Sequence, residues 1–221
     1  MDRVINLDIP EVGEQILDHI DTDGLFQLFR VSRTWKILAE NVLVKRWRDA
    51  DKSFDACVEG KAKIVKLLLE RCNSEEIGLN ARDEFGCTPF MWACYNGHKD
   101  VVKLLLNHSE KIELNARDDD GTTALMRACE KGRRDIVKLL LDHSGSNVDL
   151  NARANNGRTA FMLACQYGHK DIIKLILNHL DQNAQINSGW TLFYTDVSEH
   201  EMLSQEIREL IEFFLLKHQI L

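Results

Sequence analysis

Apolar residues recur along most of the chain in one repeating order. A short run ending in an Ala-Cys pair is followed, after a glycine, by a second run rich in leucine. The copies are Ala93-Cys94, Gly97 and Leu104-Leu105-Leu106; then Ala128-Cys129, Gly132 and Leu139-Leu140-Leu141; then Ala164-Cys165, Gly168 and Leu175-Ile176-Leu177. A degenerate copy precedes them, with Ala56-Cys57, Gly60 and Leu67-Leu68-Leu69. A last one runs from Gly189-Trp190-Thr191 to Phe213-Phe214-Leu215-Leu216. Ahead of each central copy stands an Asn-Ala-Arg element leading to a glycine and a threonine: Asn80 to Thr88, Asn115 to Thr123, and Asn151 to Thr159. The glycines Gly86, Gly121 and Gly157 follow one another at intervals of 35 and 36 residues. The spacing predicts two short helices per unit and an internally repeated, all-α chain.

Local chemistry defines each unit. Asp-x-x-Gly favours a tight turn in which glycine supplies a positive φ. Thr88 then caps a helix with its hydroxyl, and Pro89 occupies the first helical position, where its missing N–H costs nothing. Thr123, Thr159 and Thr191 repeat the cap. Gly97, Gly132 and Gly168 end this helix, and a second begins near Asp100, Asp135 or Asp171, acids well placed at a positive helix N-terminus. Val101, Val102, Leu104 and Leu105 cannot be buried inside one unit of this size. They require neighbours, so the units should stack as a solenoid.

The turn–helix–turn–helix unit resembles the ankyrin repeat over about residues 52 to 218. Gly-Cys-Thr-Pro-Phe-Met-Trp-Ala, Gly-Thr-Thr-Ala-Leu-Met-Arg-Ala and Gly-Arg-Thr-Ala-Phe-Met-Leu-Ala stand where that family has Gly-x-Thr-Pro-Leu-His-x-Ala. Met91, Met126 and Met162 replace the family histidine; they are expected to fill space between repeats without giving its hydrogen bond. Extra residues around Glu110-Lys111 and Gly145-Ser146-Asn147 should lengthen the loop after the second helix. The resemblance implies an array over 51–218 with units at about 51–79, 80–114, 115–150, 151–186 and 187–218, joined by short β-turn or hairpin loops and closed by the last copy as a C-terminal cap.

Residues 7–48 do not repeat. Val12, Ile16 and Ile20 make one helical face, Leu25, Leu28 and Phe29 a second, and Trp35, Leu38, Ala39 and Val42 a third, with Asp21-Thr22-Asp23-Gly24 as the break between the first two. Their order (Ile9-Pro10-Glu11-Val12, Ile16-Leu17-Asp18-His19-Ile20, Leu25, Leu28, Val31-Ser32-Arg33-Thr34-Trp35, Leu38-Ala39) resembles the F-box. That resemblance implies that Ile9, Pro10, Ile16, Leu17, Ile20, Leu25, Leu28, Val31 and Trp35 include the surface docking the Skp-family adaptor of a cullin-RING ubiquitin ligase. The other reading of the same helices is an N-terminal cap for the solenoid. No Pro, Gly or Ser linker follows Trp47 before the helix near Phe54, so a rigid junction is expected.

Charge narrows the partners. With 28 basic against 35 acidic side chains the formal net charge is −7, which repels nucleic-acid phosphate and anionic lipid. Met1 to Pro10 carries charges where a signal peptide needs its apolar stretch, and no membrane-length apolar run occurs, so neither secretion nor spanning is expected. Lys45-Arg46-Trp47-Arg48 and Lys131-Gly132-Arg133-Arg134 read as solvated helix faces rather than import signals. Catalytic motifs are missing: there is no Gly-x-Ser-x-Gly, no phosphate-binding glycine loop and no Cys-x-x-Cys, and His200-Glu201 lacks a second histidine. His108, His143, His179 and His218 share one repeat position. Equivalent positions lie on the order of 10 Å apart, whereas zinc needs each nitrogen at about 2 Å. They are expected to close helix C-termini. Cys57, Cys94, Cys129 and Cys165 are periodic core positions; Cys72 and Cys87 fall outside the pattern, and Cys87, at a turn, is the exposed candidate. No enzyme activity, cofactor or metal is expected.

The function this points to is a substrate receptor, monomeric by itself and cytoplasmic with the nucleus as the other compartment. Its N-terminal helices would hold the adaptor, and its concave face a protein to be ubiquitinated. The alternative is an ankyrin scaffold or inhibitor with no ligase attached. Contacts to the bound protein should come from turn tips and the concave helix row: Glu84, Phe85, Trp92, Tyr95, Asn96, Asp119, Asp120, Arg127, Glu130, Lys131, Asn155, Asn156, Arg158, Gln166 and Tyr167. Phe85, Trp92, Tyr95, Arg127 and Tyr167 lead, because aromatics and arginine dominate binding hot spots; Trp92 and Tyr95 could instead pack against the next repeat. The acidic turn Asp118-Asp119-Asp120 beside Glu84 either steers a basic partner or serves solubility, and its three adjacent carboxylates make a poor calcium site.

Overall fold

The computed structural model describes residues 17–48, 50–72, 77–143, 148–182 and 204–217. The described residues hold eleven helices and no strand, and none of those helices is long and apolar enough to cross a membrane. The chain divides into two compact units, Met1–Leu79 and Asn80–Leu221.

The first unit contains α1 (Thr22–Leu28), α2 (Arg33–Trp47), α3 (Ala50–Val58) and α4 (Ala62–Arg71). The predicted break at Asp21 is a cap: its carboxylate accepts from the Gly24 N–H at 2.8 Å, as the Ser32 hydroxyl does from the Trp35 N–H at 3.2 Å at the start of α2. α2 packs against α1, α3 and α4, and α3 against α4. Leu17, Leu25, Ala39, Leu43, Ala56 and Ile64 fill the centre. Because α2 packs on both helices of the degenerate repeat copy, that copy lies in one unit with α1 and α2. Arg46, read from the sequence as a solvated charge, is half-buried: its guanidinium donates to the backbone carbonyls of Ile20 (2.9 Å), Asp18 (3.1 Å) and Leu17 (3.4 Å). A cation there satisfies carbonyls left open at the end of a helical turn. Glu40, itself buried, pairs with Arg71. The helix predicted over Val12 to Ile20 lies outside the described residues except from Leu17 onward.

The second unit repeats one motif three times: α5 (Pro89–Asn96) with α6 (Lys99–Leu106), α7 (Ala124–Glu130) with α8 (Arg134–Asp142), and α9 (Ala160–Gln166) with α10 (Lys170–Gln182). It closes with α11 (Gln205–Lys217). First helices stack on first helices (α5 on α7, α7 on α9) and second on second. Each cap is the predicted threonine: Thr88, Thr123 and Thr159 accept from the amides of Met91, Met126 and Met162 at 3.3, 3.4 and 3.3 Å. Thr191, Gly189 and Trp190 lie outside the described residues, as do Gly145-Ser146-Asn147. The extra residues at Glu110-Lys111 form a 3-10 turn, Ser109–Lys111. One expectation needs correcting. The Met91 thioether does accept a bond, from the Thr88 N–H at 3.5 Å, so a weak sulfur acceptor stands in for a ring nitrogen.

The Asn-Ala-Arg element ties one unit to the next. Asn80 donates to the Lys111 carbonyl (3.1 Å) and accepts from the Glu113 N–H (2.8 Å), and Asn115 accepts from the Asp149 N–H (3.0 Å). Arg82 donates to the Arg117 carbonyl at 2.6 Å and Arg117 to that of Arg153. The tips are joined directly as well, the amides of Asp119 and Asn155 donating to the carbonyls of Phe85 (3.1 Å) and Asp120 (2.8 Å). At the opposite end of the first helices, Arg133 donates to the Tyr95 carbonyl (2.9 Å), and the His169 ring bonds that of Glu130 (3.1 Å).

Candidate binding groove

The fourth residue of each tip faces the helix residue nine positions on, and the two change together. Asp83 Oδ1 accepts the amides of Phe85 (3.0 Å) and Cys87 (2.8 Å), while its Oδ2 takes the Trp92 indole N–H at 2.7 Å. Asp118 Oδ1 accepts the amides of Asp120 (3.0 Å) and Thr122 (2.8 Å), while its Oδ2 takes Arg127 through Nε (3.1 Å) and Nη2 (2.5 Å). In the third unit both partners are apolar, Ala154 and Leu163, and both are buried. One carboxylate thus shapes the tip and orients a large side chain on the adjoining helix; where the acid is lost, so is the donor.

Between these tips and α5 and α7 lies a groove holding about 160 Å³, lined by Phe85, Cys87, Met91, Trp92, Tyr95, Asp120 and Arg127. Trp92 and Tyr95 pack edge to face with centroids 5.4 Å apart, an arrangement favoured by the ring quadrupoles. Lys131 holds its ammonium 4.8 Å from the centre of the Tyr95 ring. Phe85, at the tip, is 59% exposed.

None of the fifteen side chains expected to contact a partner is buried, and the groove gathers five of them: Phe85, Trp92, Tyr95, Asp120 and Arg127. Trp92 is half-buried rather than lost in the core, held by Asp83. Arg127 is less available than its type suggested. Besides Asp118 it faces Glu130 at 3.5 Å; burial pulls its pKa down, but the bond to Asp118 and the charges of Asp118, Cys87 and Glu130 together more than offset that and leave it above the usual value. Asn155 serves the scaffold, donating to the Asp119 carbonyl at 2.9 Å. Glu84, Asp119, Lys131, Asn156, Gln166 and Tyr167 are exposed, and Asn96, Glu130 and Arg158 half-exposed. Asp118, counted from the sequence with the acidic surface turn, is buried and neutralised. Cys87 is also buried, not exposed: its thiol faces Asp118 at 3.8 Å, and burial first, then the carboxylates of Asp118 and Asp83, raise its pKa to about 11. Sequence reasoning missed Asp83 and Asp118 as orienting residues. The signal was present in the copies, as the pairs Asp/Trp, Asp/Arg and Ala/Leu.

In the first unit Leu17 and Leu25 are fully buried, so they build the module rather than present it. Ile20, Leu28 and Trp35 are half-buried, Val31 is 65% exposed, and Ile9, Pro10 and Ile16 lie outside the described residues. Ile37, which the helical spacing did not single out, is 48% exposed. Among the described residues no three His, Cys, Asp or Glu side chains converge on a metal-sized site. His108 closes its helix by bonding the Leu104 carbonyl at 3.0 Å; His200 and His218 lie outside the described residues.

A family model described as ankyrin repeats, in three copies, matches residues 54–154 and 144–205. Residues before 54 lie outside the matched segments. Among curated proteins the chain is similar to osteoclast-stimulating factor 1 of Monopterus albus, 51% identical over 39 residues that make up 18% of each chain. It is similar to the same protein of Danio rerio, 46% identical over 39 residues and again 18% of each. Acyl-CoA-binding domain-containing protein 6 of Danio rerio is 40% identical over 63 residues, 28% of this chain and 20% of that one. The chain spans no more than 20% of the length of these relatives.

Proposed function

The chain belongs to the ankyrin repeat family, and on that premise we propose that it is a protein-binding receptor that brings a substrate to a Skp-cullin-F-box ubiquitin ligase. The repeats bind the substrate protein through the tips and the first-helix row. The observation that carries this half is the rigid, tip-to-tip bonded groove with Phe85 exposed above half-buried Trp92 and Tyr95. The N-terminal helices bind the adaptor. Supporting this are the F-box-like order from Ile9 to Ala39 and the apolar side chains Val31 and Ile37 left in solvent on a small helical module; such surface favours a partner. The chain performs no catalysis of its own. It raises the effective concentration of substrate lysines near a conjugating enzyme held by the rest of the ligase. Such a receptor works in the cytoplasm or nucleus, as a monomer until it meets the adaptor.

Co-purification with a Skp-family adaptor tests the reading. Wild-type chain is expected to retain the adaptor. Val31→Asp with Ile37→Asp is expected to release it with the helical circular dichroism unchanged, since both side chains are exposed. Leu17→Asp is a poor probe, because a charge at a fully buried site unfolds the module. If the wild-type chain leaves the adaptor in the flow-through, the ligase half of the reading falls and a plain ankyrin scaffold remains.

A further inference from the structure

We propose that the groove between Phe85, Trp92 and Tyr95 receives an extended segment of a protein partner that presents an arginine or lysine side chain, its stem on the rings and its charged head at Asp120. This rests on the reading of the repeats as the substrate-binding surface and names the chemistry that surface selects.

The argument for a cation is one of local charge. Of the cations on the groove's own walls and rings, Arg127 is matched by Asp118 and Glu130 and Lys131 by Glu130 at 3.6 Å, while Arg133 lies at the far end of α5, donating to the Tyr95 carbonyl. That leaves Asp120 on the wall and Glu84 and Asp119 on the tips beside it. All three are exposed and, among the described residues, outside any ion pair. At the same tips Arg82 is matched by Glu113 at 3.4 Å, and Arg117, beside Gly121, offsets one of the three carboxylates, so the mouth keeps a net negative charge with Asp120 on its wall. An acidic segment or a phosphate backbone meets repulsion here. A purely apolar side chain gains the rings but leaves the carboxylates unanswered.

The rings complete the argument. A cation over an aromatic face is stabilised by the ring quadrupole, and the Tyr95 ring already draws the Lys131 ammonium to 4.8 Å. Arginine and lysine also carry long apolar stems that lie along rings while the head stays at the water boundary. The space accommodates one long side chain and no folded element. An extended segment can lay such a side chain there, since Phe85 is 59% exposed at the tip and Asp120 is exposed on the wall.

The test uses the full chain and three blocked heptapeptides of the form Gly-Ser-Leu-X-Leu-Ser-Gly, with arginine, norleucine or glutamate at X. Binding is followed by NMR shifts of the Trp92 indole N–H and the Asp120 amide at low salt. The arginine peptide is expected to bind about tenfold more tightly than the glutamate peptide and about threefold more tightly than norleucine, with the gaps narrowing as salt rises. Asp119→Asn with Asp120→Asn should weaken the arginine peptide about threefold or more and leave norleucine unchanged. Equal or stronger shifts with norleucine or glutamate, or arginine-peptide shifts confined to residues outside the groove, overturn the basic preference while leaving the repeats as a contact surface. No shift from any peptide at any of the fifteen surface positions at millimolar concentration overturns both.

Discussion

Asp118 has 1% of its side chain exposed and Arg127 22%. A buried carboxylate of this kind is stable only while its partner and the two turn amides hold it. Arg127→Leu is expected to cost about 2 kcal/mol in urea unfolding, because the carboxylate is then left without its strongest donor. The chain contains the remedy, since Ala154 and Leu163 occupy the same two positions. Asp118→Ala combined with Arg127→Leu should therefore recover about half of the loss, with the rest reflecting the turn amides that alanine cannot bond. A double variant less stable than the sum of the two single variants would refute the pairing. The thiols make a second expectation. Burial raises the pKa of Cys57 and Cys165 to about 12 and of Cys87 to about 11, and pushes Cys94 and Cys129 higher still, from an ordinary value of 9.0. Above pH 9 the unfolded chain releases these protons first, so the stability they contribute is complete below 9, falls from there, and goes on falling up to the folded values of about 11 for Cys87 and about 12 for Cys57 and Cys165. Urea midpoints should fall across that window. At pH 8 a thiol reagent should label half-buried Cys72 before the five buried cysteines. At this scale the sequence revealed residue types better than roles: periodicity marked the Ala-Cys pairs as core, but not that Cys87 turns inward beneath the next tip.

The helices were legible because capping and periodicity are local. Thr88, Thr123 and Thr159 sit where their hydroxyls reach the third helical amide, and the second helices start within one residue of their acids. The function of Asn-Ala-Arg was not legible, because its bonds run 31 to 36 residues along the chain. Those bonds bring the tips so close that two glycines of equal conformation should respond differently to the same change. Gly121 and Gly157 both have positive φ, 73° and 79°. A β-carbon at Gly121 would collide with Asn155 Oδ1 and meet Arg117 Nη2 at 2.7 Å and the Asn155 nitrogen at 3.0 Å, whereas one at Gly157 meets nothing within 4 Å among the described residues. Gly157→Ala should cost about 1 kcal/mol, the penalty of the left-handed conformation alone. Gly121→Ala should cost more, and it should speed hydrogen exchange at the Asn155 amide, whose bond to the Asp120 carbonyl it disturbs. Equal losses at the two sites would mean that the tips are not in contact.

On the scale of the whole chain, a net charge of −7 spread over repeats could be mere solubility. It becomes a selection rule only where specific neutralisations leave the tip acids in excess. The repeats could be read as an array from the sequence because one unit explains the next. The helices ahead of the repeats, α1 and α2, have no second copy to compare, so the division between buried and exposed apolar residues there (Leu17 and Leu25 against Val31 and Ile37) is set by packing that spacing alone does not specify. Its partner decides whether the chain is a ligase receptor. The most direct measurement is the mass in solution, by light scattering, of the full chain mixed with one equivalent of purified Skp-family adaptor. A receptor gives a single species with the summed mass of one copy of each. Two species at their separate masses, with the repeats still folded by circular dichroism, would leave a repeat protein that binds its partner without a ligase.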